Sequence, residues 1–335
     1  MAKVAVMGGG SFGTAIAVVF ADSGQDVSLW TLEADAAAEI NASHTNEKYH
    51  PGITLPESIR AGTDQAEALQ GAEIVLLAVP AQTIGENLRA WHELITGDPL
   101  VVSVMKGIEL GTMRRMSQVI EEDGGIRADR IAVISGPNLA REVAQRQPAA
   151  TTVASVDPNR AMQLQDALTT DYFRPYFTTD VVGTEIGGSV KNVVALANGM
   201  AVGQGFGENA QSSLITRGLA EMSRLGEALG ANPLTFLGLA GMGDLIATCT
   251  SPLSRNRTFG ENLGKGLSVE ETIAITNQTA EGVKSCEPIV ALAKAHGVEM
   301  PIAEQVVNVV KNGMPPSKIL SALMSRATKP EQGQL

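Results

Sequence analysis

Near its start the chain reads Lys3-Val4-Ala5-Val6-Met7-Gly8-Gly9-Gly10-Ser11-Phe12-Gly13, and a helical pattern follows over residues 14–21. This is a G-x-G-x-x-G motif between a short apolar strand and a helix, the context that a dinucleotide site requires. Gly8 allows a tight turn, Gly10 lets the backbone approach a pyrophosphate, and Gly13 lets helix and strand pack closely. The N–H groups at the helix N-terminus would bind the anion. The motif predicts a dinucleotide-binding domain, and the alternative is an ordinary glycine-rich turn.

A second strand is predicted at residues 26–30, and Glu33 follows it about 20 residues beyond the last motif glycine. A carboxylate at this spacing binds the 2′-hydroxyl of the adenosine ribose. No arginine or lysine stands nearby in sequence to meet a 2′-phosphate, which favours NAD over NADP. The alternative for Glu33 is a solvated carboxylate at a helix start.

Further strands and helices alternate through the first half of the chain. The predicted strands span 73–79, 100–104, 130–135, 149–154 and 172–178, and the predicted helices span 81–94, 112–121, 139–145 and 158–168. This alternation indicates a doubly wound sheet, in which ligands bind beyond the carboxyl ends of the strands. Turn chemistry explains the Gly, Pro and Asn residues that follow several of these strands. It does not explain Lys106.

Helical patterns replace strands from residue 180 onward. The predicted helices span 182–203, 209–229, 234–247, 253–263, 268–277, 283–295, 302–311 and 316–324. We therefore predict an α/β fold, with an N-terminal Rossmann-type doubly wound parallel sheet followed by an all-α C-terminal domain. The predicted division is a dinucleotide-binding domain at 1–183, a helical substrate domain at 184–326 and a polar tail at 327–335. The cleft between two domains is a preferred place for a ligand.

Lys191 is the one charged residue in the apolar helical pattern of residues 187–200. If this helix packs inside the protein, burial disfavours the ammonium form and lowers the pKa of the lysine. Such a lysine can give and take a proton near neutral pH. The alternative is a lysine at the helix edge, whose ammonium group reaches water.

Two segments of the helical half carry further candidate residues. The first, residues 238–248, combines a helical pattern with several glycines, which suggests a close approach to its backbone, and Asp244 in it could bind Lys191 or a substrate hydroxyl. In the second, Ser251 is the predicted N-cap and Pro252 a first-turn residue of the following helix. That helix would present Arg255 and Asn256 near its N-terminus, where they could bind a phosphate. Surface arginines are the commoner explanation.

Composition limits the classes of function. Of the 335 residues, 44% are apolar and 18% charged, which is typical of a soluble globular protein. The net charge of −11 gives nucleic acids and anionic membranes little to bind. Two cysteines, Cys249 and Cys286, indicate a reducing compartment, and the four histidines lack the spacing of metal ligands. We expect a cytoplasmic protein without a metal, with no nucleic-acid partner and no membrane insertion.

Several motifs together resemble one family, the bacterial type of NAD(P)-dependent sn-glycerol-3-phosphate dehydrogenase. The motifs that carry the resemblance occur in the family's order at residues 105–109, 135–140, 188–195, 203–209, 238–245, 254–257 and 280–283. The resemblance covers nearly the whole chain. It implies the interconversion of glycerol 3-phosphate and dihydroxyacetone phosphate by hydride transfer with NAD or NADP. In cells it implies mainly the reduction, which supplies glycerol phosphate for phospholipid synthesis.

The resemblance also implies roles for individual residues. Lys191 is the implied general acid/base at the C2 oxygen, with Lys106 as a second cation and with Asp244, Thr248 and Asn192 ordering the protons. The implied substrate residues are Lys106, Gly136, Asn138, Lys191, Asp244, Ser254, Arg255 and Asn256. The implied dinucleotide contacts are Ser11, Phe12, Tyr49, Lys106, Ala140, Arg255 and Glu281, beside the motif residues Gly8, Gly10, Gly13 and Glu33.

Three positions depart from the family pattern. Leu32 stands where many relatives carry a basic residue near the adenosine ribose, Phe12 replaces the usual tryptophan, and Asn138 stands where serine is common. Two other functions stay open, a dehydrogenase of a 3-hydroxy acid or a phosphogluconate-like acid, and an NAD-sensing protein without activity. A homodimer is the expected assembly because it is the commonest one.

Overall fold

The N-terminal half of the chain forms one eight-stranded sheet. The computed structural model describes residues 1–276, 280–325 and 327. Its strands are β1 (Lys3–Met7), β2 (Asp26–Trp30), β3 (Arg60–Gly62), β4 (Ile74–Leu77), β5 (Leu100–Ser103), β6 (Ile131–Ser135), β7 (Ala149–Ser155) and β8 (Phe173–Thr178). Their order in the sheet is β3-β2-β1-β4-β5-β6-β7-β8. The chain direction across the sheet therefore reverses at β1, and this is where a doubly wound fold binds its ligand.

The sheet is mostly parallel, as predicted, with one exception. β6 and β7 pair antiparallel, with Val133 opposite Ala154, whereas β7 and β8 pair parallel. The connection between β6 and β7 holds only a five-residue helix, and a parallel pair needs a longer crossover. Strand β3 is not predicted, because its three residues Arg60, Ala61 and Gly62 form no apolar run.

Helices cover both faces of the sheet and form the second half of the chain. Those of the first half are α1 (Ser11–Asp22), α2 (Ala34–Ser43), α3 (Gln65–Leu69), α4 (Ile84–Trp91), α5 (Met116–Gly124), α6 (Ala140–Ala144) and α7 (Pro158–Leu168). Those of the second half are α8 (Val181–Gly203), α9 (Glu208–Ala228), α10 (Asp244–Thr250), α11 (Arg255–Gly264), α12 (Val269–Thr276), α13 (Glu281–Ala295), α14 (Pro301–Asn312) and α15 (Lys318–Met324). The predicted all-helical second half is thus confirmed. Asn277, and the predicted tail beyond Ala327, lie outside the described residues. In the part of the chain that the structure describes, we find no helix whose length and hydropathy would let it span a bilayer.

The long helix α8 is the centre of the helical half, and it is buried over most of its length. It packs closely on α11 because glycines on each helix let the backbone of the other helix approach. A Cβ on Gly199 would lie 2.1 Å from the Arg257 carbonyl oxygen, and a Cβ on Gly260 would lie 2.2 Å from that of Leu196. Any larger side chain at these positions would push the two helices apart.

The predicted helix 234–247 is wrong as a single helix. A 3-10 turn at Pro233–Leu237 leads into a π-helical turn at Leu239–Gly243, and α10 begins only at Asp244. Backbone contacts explain the glycines of this segment. A Cβ on Gly241 would lie 2.3 Å from the Phe236 carbonyl oxygen, and a Cβ on Gly187 of α8 would lie 2.4 Å from that of Ala240. The wide turn therefore lies directly against α8.

Candidate active site

The glycine-rich loop between β1 and α1 has the shape that a pyrophosphate requires. Gly8 has a φ of +136°, and a Cβ there would lie 2.5 Å from the Ala78 carbonyl oxygen. A Cβ on Gly13 would lie 1.9 Å from the Gly8 carbonyl oxygen, so α1 packs directly on the loop. Gly10, the N-cap of α1, faces open space instead, and no side chain caps this helix. The N–H groups of Ser11 and the residues after it can therefore meet an anion.

Glu33 lies beside this loop, beyond the carboxyl end of β2. It pairs there with Lys48, for which the sequence patterns predict no role. Lys48 Nζ lies 2.7 Å from Glu33 Oε2, and the Tyr49 hydroxyl donates to Glu33 Oε1 at 3.1 Å. The bond from Lys48 lowers the pKa of Glu33. No basic residue is close to Glu33 in the sequence, but the fold brings Lys48 to it from 15 residues further along the chain. Leu32 is 82% exposed, which leaves it free of the core.

The other predicted dinucleotide residues of the sheet half lie along the same edge. Phe12 and Ala140 are partly buried and pack against the same apolar core under α1. Lys106 follows β5, the second strand beyond β1 in the sheet.

Two lysines from different halves of the chain share one carboxylate. Lys191 Nζ on α8 donates to Asp244 Oδ1 at 2.6 Å and to Thr248 Oγ1 at 2.8 Å. Lys106 Nζ donates to Asp244 Oδ2 at 2.5 Å, and Thr248 Oγ1 in turn donates to Asp244 Oδ1 at 3.2 Å. The side chains of Lys191 and Asp244 are 9% and 3% exposed, so the reading of Lys191 as a lysine that reaches water is wrong. Asp244 is in this place because α10 begins immediately after the π turn.

Burial and charge together set the protonation of the triad formed by Lys106, Lys191 and Asp244. Burial, together with the neighbouring Lys106 ammonium, lowers the pKa of Lys191 to about 8, although Asp244 opposes the shift. Burial alone would raise the pKa of Asp244, but the two ammonium groups outweigh it and hold that pKa below its usual value. The triad therefore combines a stable carboxylate with an amine that can lose its proton close to neutral pH.

The carboxyl end of β6 supplies the wall beside Lys106. The Gly136 carbonyl accepts a bond from Lys106 Nζ at 3.2 Å, and Asn138 donates through Nδ2 to the Ala150 carbonyl at 3.0 Å. Asn138 Oδ1 and Ser135 Oγ are both buried without a hydrogen-bond partner among the described residues. Ser135 packs against Gly188 of α8, since a Cβ there would lie 2.7 Å from its Oγ. Sequence reasoning interpreted Ser135 as part of a turn and missed its contact with α8.

The predicted phosphate residues lie at the start of α11, with one correction. The N-cap of α11 is Ser254, whose Oγ accepts from the Arg257 N–H at 3.3 Å, so the prediction of Ser251 as N-cap is wrong. The backbone of residues 251–254 forms a turn before the helix, which moves the cap by three residues. Arg255, the first helical residue, is exposed and lines a cavity of about 260 Å³ with Thr258 and Phe259.

Asn256 connects the start of α11 to the lysine pair. Its Nδ2 donates to Asn192 Oδ1 at 2.9 Å, and its Oδ1 accepts from the Gly282 N–H at 2.8 Å. Asn192 is the neighbour of Lys191 on α8. Glu281 precedes Gly282, and burial raises its pKa although the charges of Lys284 and Arg255 oppose the shift. These hydrogen bonds connect α11 to α8 and to the start of α13, three elements that carry predicted substrate and dinucleotide residues of the helical half.

Known proteins resemble this chain over almost its whole length. Two family models match it, described as the N-terminus and the C-terminus of NAD-dependent glycerol-3-phosphate dehydrogenase, over residues 3–161 and 180–321. A glycerol-3-phosphate dehydrogenase [NAD(P)+] of Streptomyces griseus is 58% identical over 98% of both chains, and that of Thermobifida fusca is 57% identical over 99% of both. The crystal structure of glycerol-3-phosphate dehydrogenase from Coxiella burnetii superposes with a TM-score of 0.92 at 38% identity, over 97% of this chain and 99% of that one.

Proposed function

Because the chain belongs to the family of NAD(P)-dependent glycerol-3-phosphate dehydrogenases, we propose that Lys191 is its general acid and base. The reaction interconverts sn-glycerol 3-phosphate and dihydroxyacetone phosphate, and the proton in question is that of the C2 oxygen. One observation carries the proposal. The Lys191 amine is buried at the meeting of the two halves, fixed by Asp244 and Thr248, with a pKa of about 8.

In the oxidation, neutral Lys191 accepts the proton of the C2 hydroxyl while the C2–H bond breaks. When bound, the dinucleotide accepts the hydride in this direction and supplies it in the other. In the reduction, the Lys191 ammonium polarises the C2 carbonyl and then donates its proton to the oxygen. Asp244 and Thr248 take two of the three ammonium hydrogens, which leaves one for the substrate.

The remaining residues of the triad fix the charge around this proton. Asp244 stays ionised between two ammonium groups, and it therefore orients Lys191 without competing for its proton. Lys106 is the proposed second cation beside the substrate, since its ammonium is held by Asp244 and by the Gly136 carbonyl. Its position after β5 supports the proposed contact of Lys106 with the dinucleotide as well.

We assign the substrate phosphate to the start of α11. Arg255 supplies the charge, and Ser254 supplies a hydroxyl hydrogen, since its oxygen already accepts from Arg257. Asn256 can offer only one amide hydrogen, because its other hydrogen and its oxygen bind Asn192 and Gly282. The wall beside this site would be Gly136 and Asn138, whose buried Oδ1 can accept from a substrate hydroxyl.

The proposed dinucleotide site follows the sheet edge to the helical half. The pyrophosphate lies on the loop of Gly8, Gly10 and Gly13, and the adenosine ribose lies at Glu33. Residues proposed to contact the rest of the dinucleotide are Ser11, Phe12, Tyr49, Lys106, Ala140, Arg255 and Glu281.

Replacement of the amine tests the central role. Lys191→Met should still bind NADH, as followed by nucleotide fluorescence, because Lys191 is not among the proposed dinucleotide contacts. Its turnover of dihydroxyacetone phosphate should fall by at least ~100-fold, the lower range for general acid/base catalysis. Lys311→Met, which removes an ammonium paired with Glu287 in the helical half, is the control. Near-normal turnover in Lys191→Met would remove Lys191 from its role.

Substitution of two arginines of α11 tests whether the substrate carries a phosphate or is a hydroxy acid without one. Arg255→Ala should raise the KM for dihydroxyacetone phosphate by an amount worth about 1.5 to 3 kcal/mol, as for a hydrogen bond to a charged group. Arg257→Ala is the matched control, since Arg257 lies two residues further on and faces Glu261 at 3.4 Å. A KM that changes equally in both variants would place the phosphate elsewhere.

We extend the proposal to the cellular role that the family resemblance implies, the supply of glycerol 3-phosphate for phospholipids, and to a homodimer. A glycerol 3-phosphate pool that stays constant on depletion of the protein would contradict the role. A monomeric mass in sedimentation would contradict the dimer.

A further inference from the structure

Three side chains form a polar cluster at the carboxyl end of β2, which we call the ribose cluster: Glu33, Lys48 and Tyr49. Lys48 Nζ binds both carboxylate oxygens of Glu33, at 2.8 and 2.7 Å, and the Tyr49 hydroxyl binds one of them at 3.1 Å. The ion pair is open to water, since the Lys48 and Glu33 side chains are 58% and 39% exposed. An exposed pair of this kind is weak, so either partner can exchange it for another ligand.

Lys48 is fixed relative to the glycine-rich loop by its neighbours on both sides. Asn46, fully buried, donates through Nδ2 to the Gly9 carbonyl at 3.2 Å and to Thr14 Oγ1 at 3.0 Å. His50, also fully buried, donates through Nε2 to the Ser11 carbonyl at 2.6 Å. The backbone of Lys48 therefore cannot move far from the loop, and only its flexible side chain can choose between partners.

We propose that Lys48 binds the 2′-phosphate of NADPH, and that its exchange between this phosphate and Glu33 lets the protein use both dinucleotides. The inference rests on the dinucleotide site proposed above. With NADH, the Glu33 carboxylate accepts the 2′-hydroxyl hydrogen and keeps Lys48 as its partner. With NADPH, the phosphate carries about two negative charges and draws the ammonium away from the single charge of Glu33.

The surroundings of the ribose cluster support this assignment. Leu32, the exposed residue beside Glu33, offers no hydrogen-bond donor to a phosphate from its side chain. When Lys48 leaves, Glu33 retains the hydroxyl of Tyr49, so its carboxylate is not left without a partner. The alternative is that the ion pair only holds residues 46–50 against the loop, in which case it would serve both dinucleotides equally.

Direct binding distinguishes these two roles without relying on turnover. Dissociation constants for NADH and NADPH can be measured by nucleotide fluorescence in Lys48→Met. We expect that of NADPH to rise about 10- to 100-fold, as for loss of a hydrogen bond between charged groups, and that of NADH to change less than about 3-fold. Adenosine 2′,5′-bisphosphate should lose affinity in the same variant, whereas AMP should keep its own.

Glu33→Gln should act in the opposite direction, because it removes the charge that competes for Lys48 and repels the phosphate. NADPH should bind more tightly and NADH more weakly. Lys311→Met is the control, since it removes another exposed and paired ammonium far along the chain, and it should change neither constant.

Equal weakening of both dinucleotides in Lys48→Met would overturn the proposal and leave the pair as a structural tie. Unchanged binding of NADPH would also overturn it. A failure of Lys191 as acid/base would show in turnover alone, so it cannot be confused with either result.

Discussion

Asp244 binds two ammonium groups at once, and this explains the protonation that the proposed chemistry needs. Fully ionised, the triad of Asp244, Lys106 and Lys191 carries one excess positive charge in a largely buried place. Loss of one proton removes that charge and its burial cost. The Lys191 side chain is 9% exposed and that of Lys106 is 16% exposed. The deeper burial of Lys191, next to a second ammonium group, lowers its pKa to about 8.

The pH dependence of turnover should follow the pKa of Lys191, with opposite signs in the two directions. Its pKa in the folded protein, about 8, lies below the usual 10.5. The oxidation needs the neutral amine, so kcat should rise as pH increases through about 8 and then level off. The reduction needs the ammonium, so kcat should fall as pH increases through the same region. Rates measured in both directions between pH 6 and 10 check this.

Asp244→Asn tests whether Lys191 is the group whose titration sets this profile. Since the Asp244 charge raises the pKa of Lys191, the variant should shift the oxidation profile to lower pH as well as reduce its height. Because the same amine titrates in both reaction directions, the reduction profile should shift to lower pH by the same amount. Midpoints that stay at about 8, or that move in opposite directions, would contradict the assignment of the titrating group.

Residue types in a suitable pattern were predictable, whereas pairings across the chain were not. Lys191 is conspicuous because a lysine within an apolar helix requires an explanation. Lys106 is conspicuous because turn chemistry does not require a lysine. The pairing of Glu33 with Lys48 had no sequence signal, since the two residues share no element. The buried contact of Ser135 with α8 was hidden in the same way, because turn chemistry already explained that residue.

The π turn at Leu239–Gly243 is the element that fixes Asp244. The glycines of this segment correctly indicate a close backbone approach, but the predicted regular helix is the wrong geometry. A regular helix follows from local pattern alone. The wide turn arises because Gly241 must pass the backbone of Phe236 and Ala240 must pass Gly187 of α8. Such contacts between distant segments cannot be read from periodicity.

Two glycines of this turn offer a matched pair of substitutions. In Gly241→Ala the new methyl would lie 2.3 to 2.5 Å from three backbone atoms of Phe236, and backbone can move little. We expect a loss of about 1 to 3 kcal/mol in the free energy of unfolding, with a lower kcat because Asp244 moves with the turn. In Gly243→Ala the nearest atom would be 3.7 Å away, an ordinary contact.

Urea unfolding and steady-state rates on both variants measure these effects. The prediction requires the first variant to lose stability and kcat and the second to retain both. If the two variants behaved alike, the close approach of Gly241 to Phe236 would not be what fixes Asp244.

At the scale of the whole molecule, the proposed site exists only where the two halves meet. The sheet half supplies the glycine-rich loop, Lys106 and Gly136, and the helical half supplies Lys191 and Asp244. Sequence patterns predicted each half, because alternating strands and helices and then helices alone identify their classes. They did not predict the register of one half on the other, which depends on single contacts between distant residues.

One such contact is a buried ion pair that connects α5 of the sheet half to α8 of the helical half. Glu185 on α8 accepts from the Ser117 N–H at 2.7 Å, from the Ser117 hydroxyl at 2.6 Å and from Arg115 Nη1 at 2.5 Å. Its side chain is only 3% exposed, and Arg115 and Ser117 lie at the N-terminus of α5. A carboxylate here accepts from the Ser117 N–H, one of the unpaired donors of the helix start, and matches the partial positive charge there. Lys191 lies six residues further along the same helix. The Glu185 contact therefore fixes the position of α8 along its axis, and with it the position of the Lys191 amine between the two halves.

Removal of this carboxylate should therefore damage stability and turnover together. Glu185→Ala leaves Arg115 and the start of α5 without their partner, and we expect a loss of about 3 kcal/mol in the free energy of unfolding. Glu122→Ala is the control, because Glu122 is 58% exposed, binds Arg114 and should cost less than about 1 kcal/mol. Denaturant unfolding gives the free energies, and kcat with NADH reports whether the amine has moved. A variant that loses stability but keeps its full kcat would mean that other contacts alone hold the two halves in register, because the position of α8 along its axis would then not depend on Glu185.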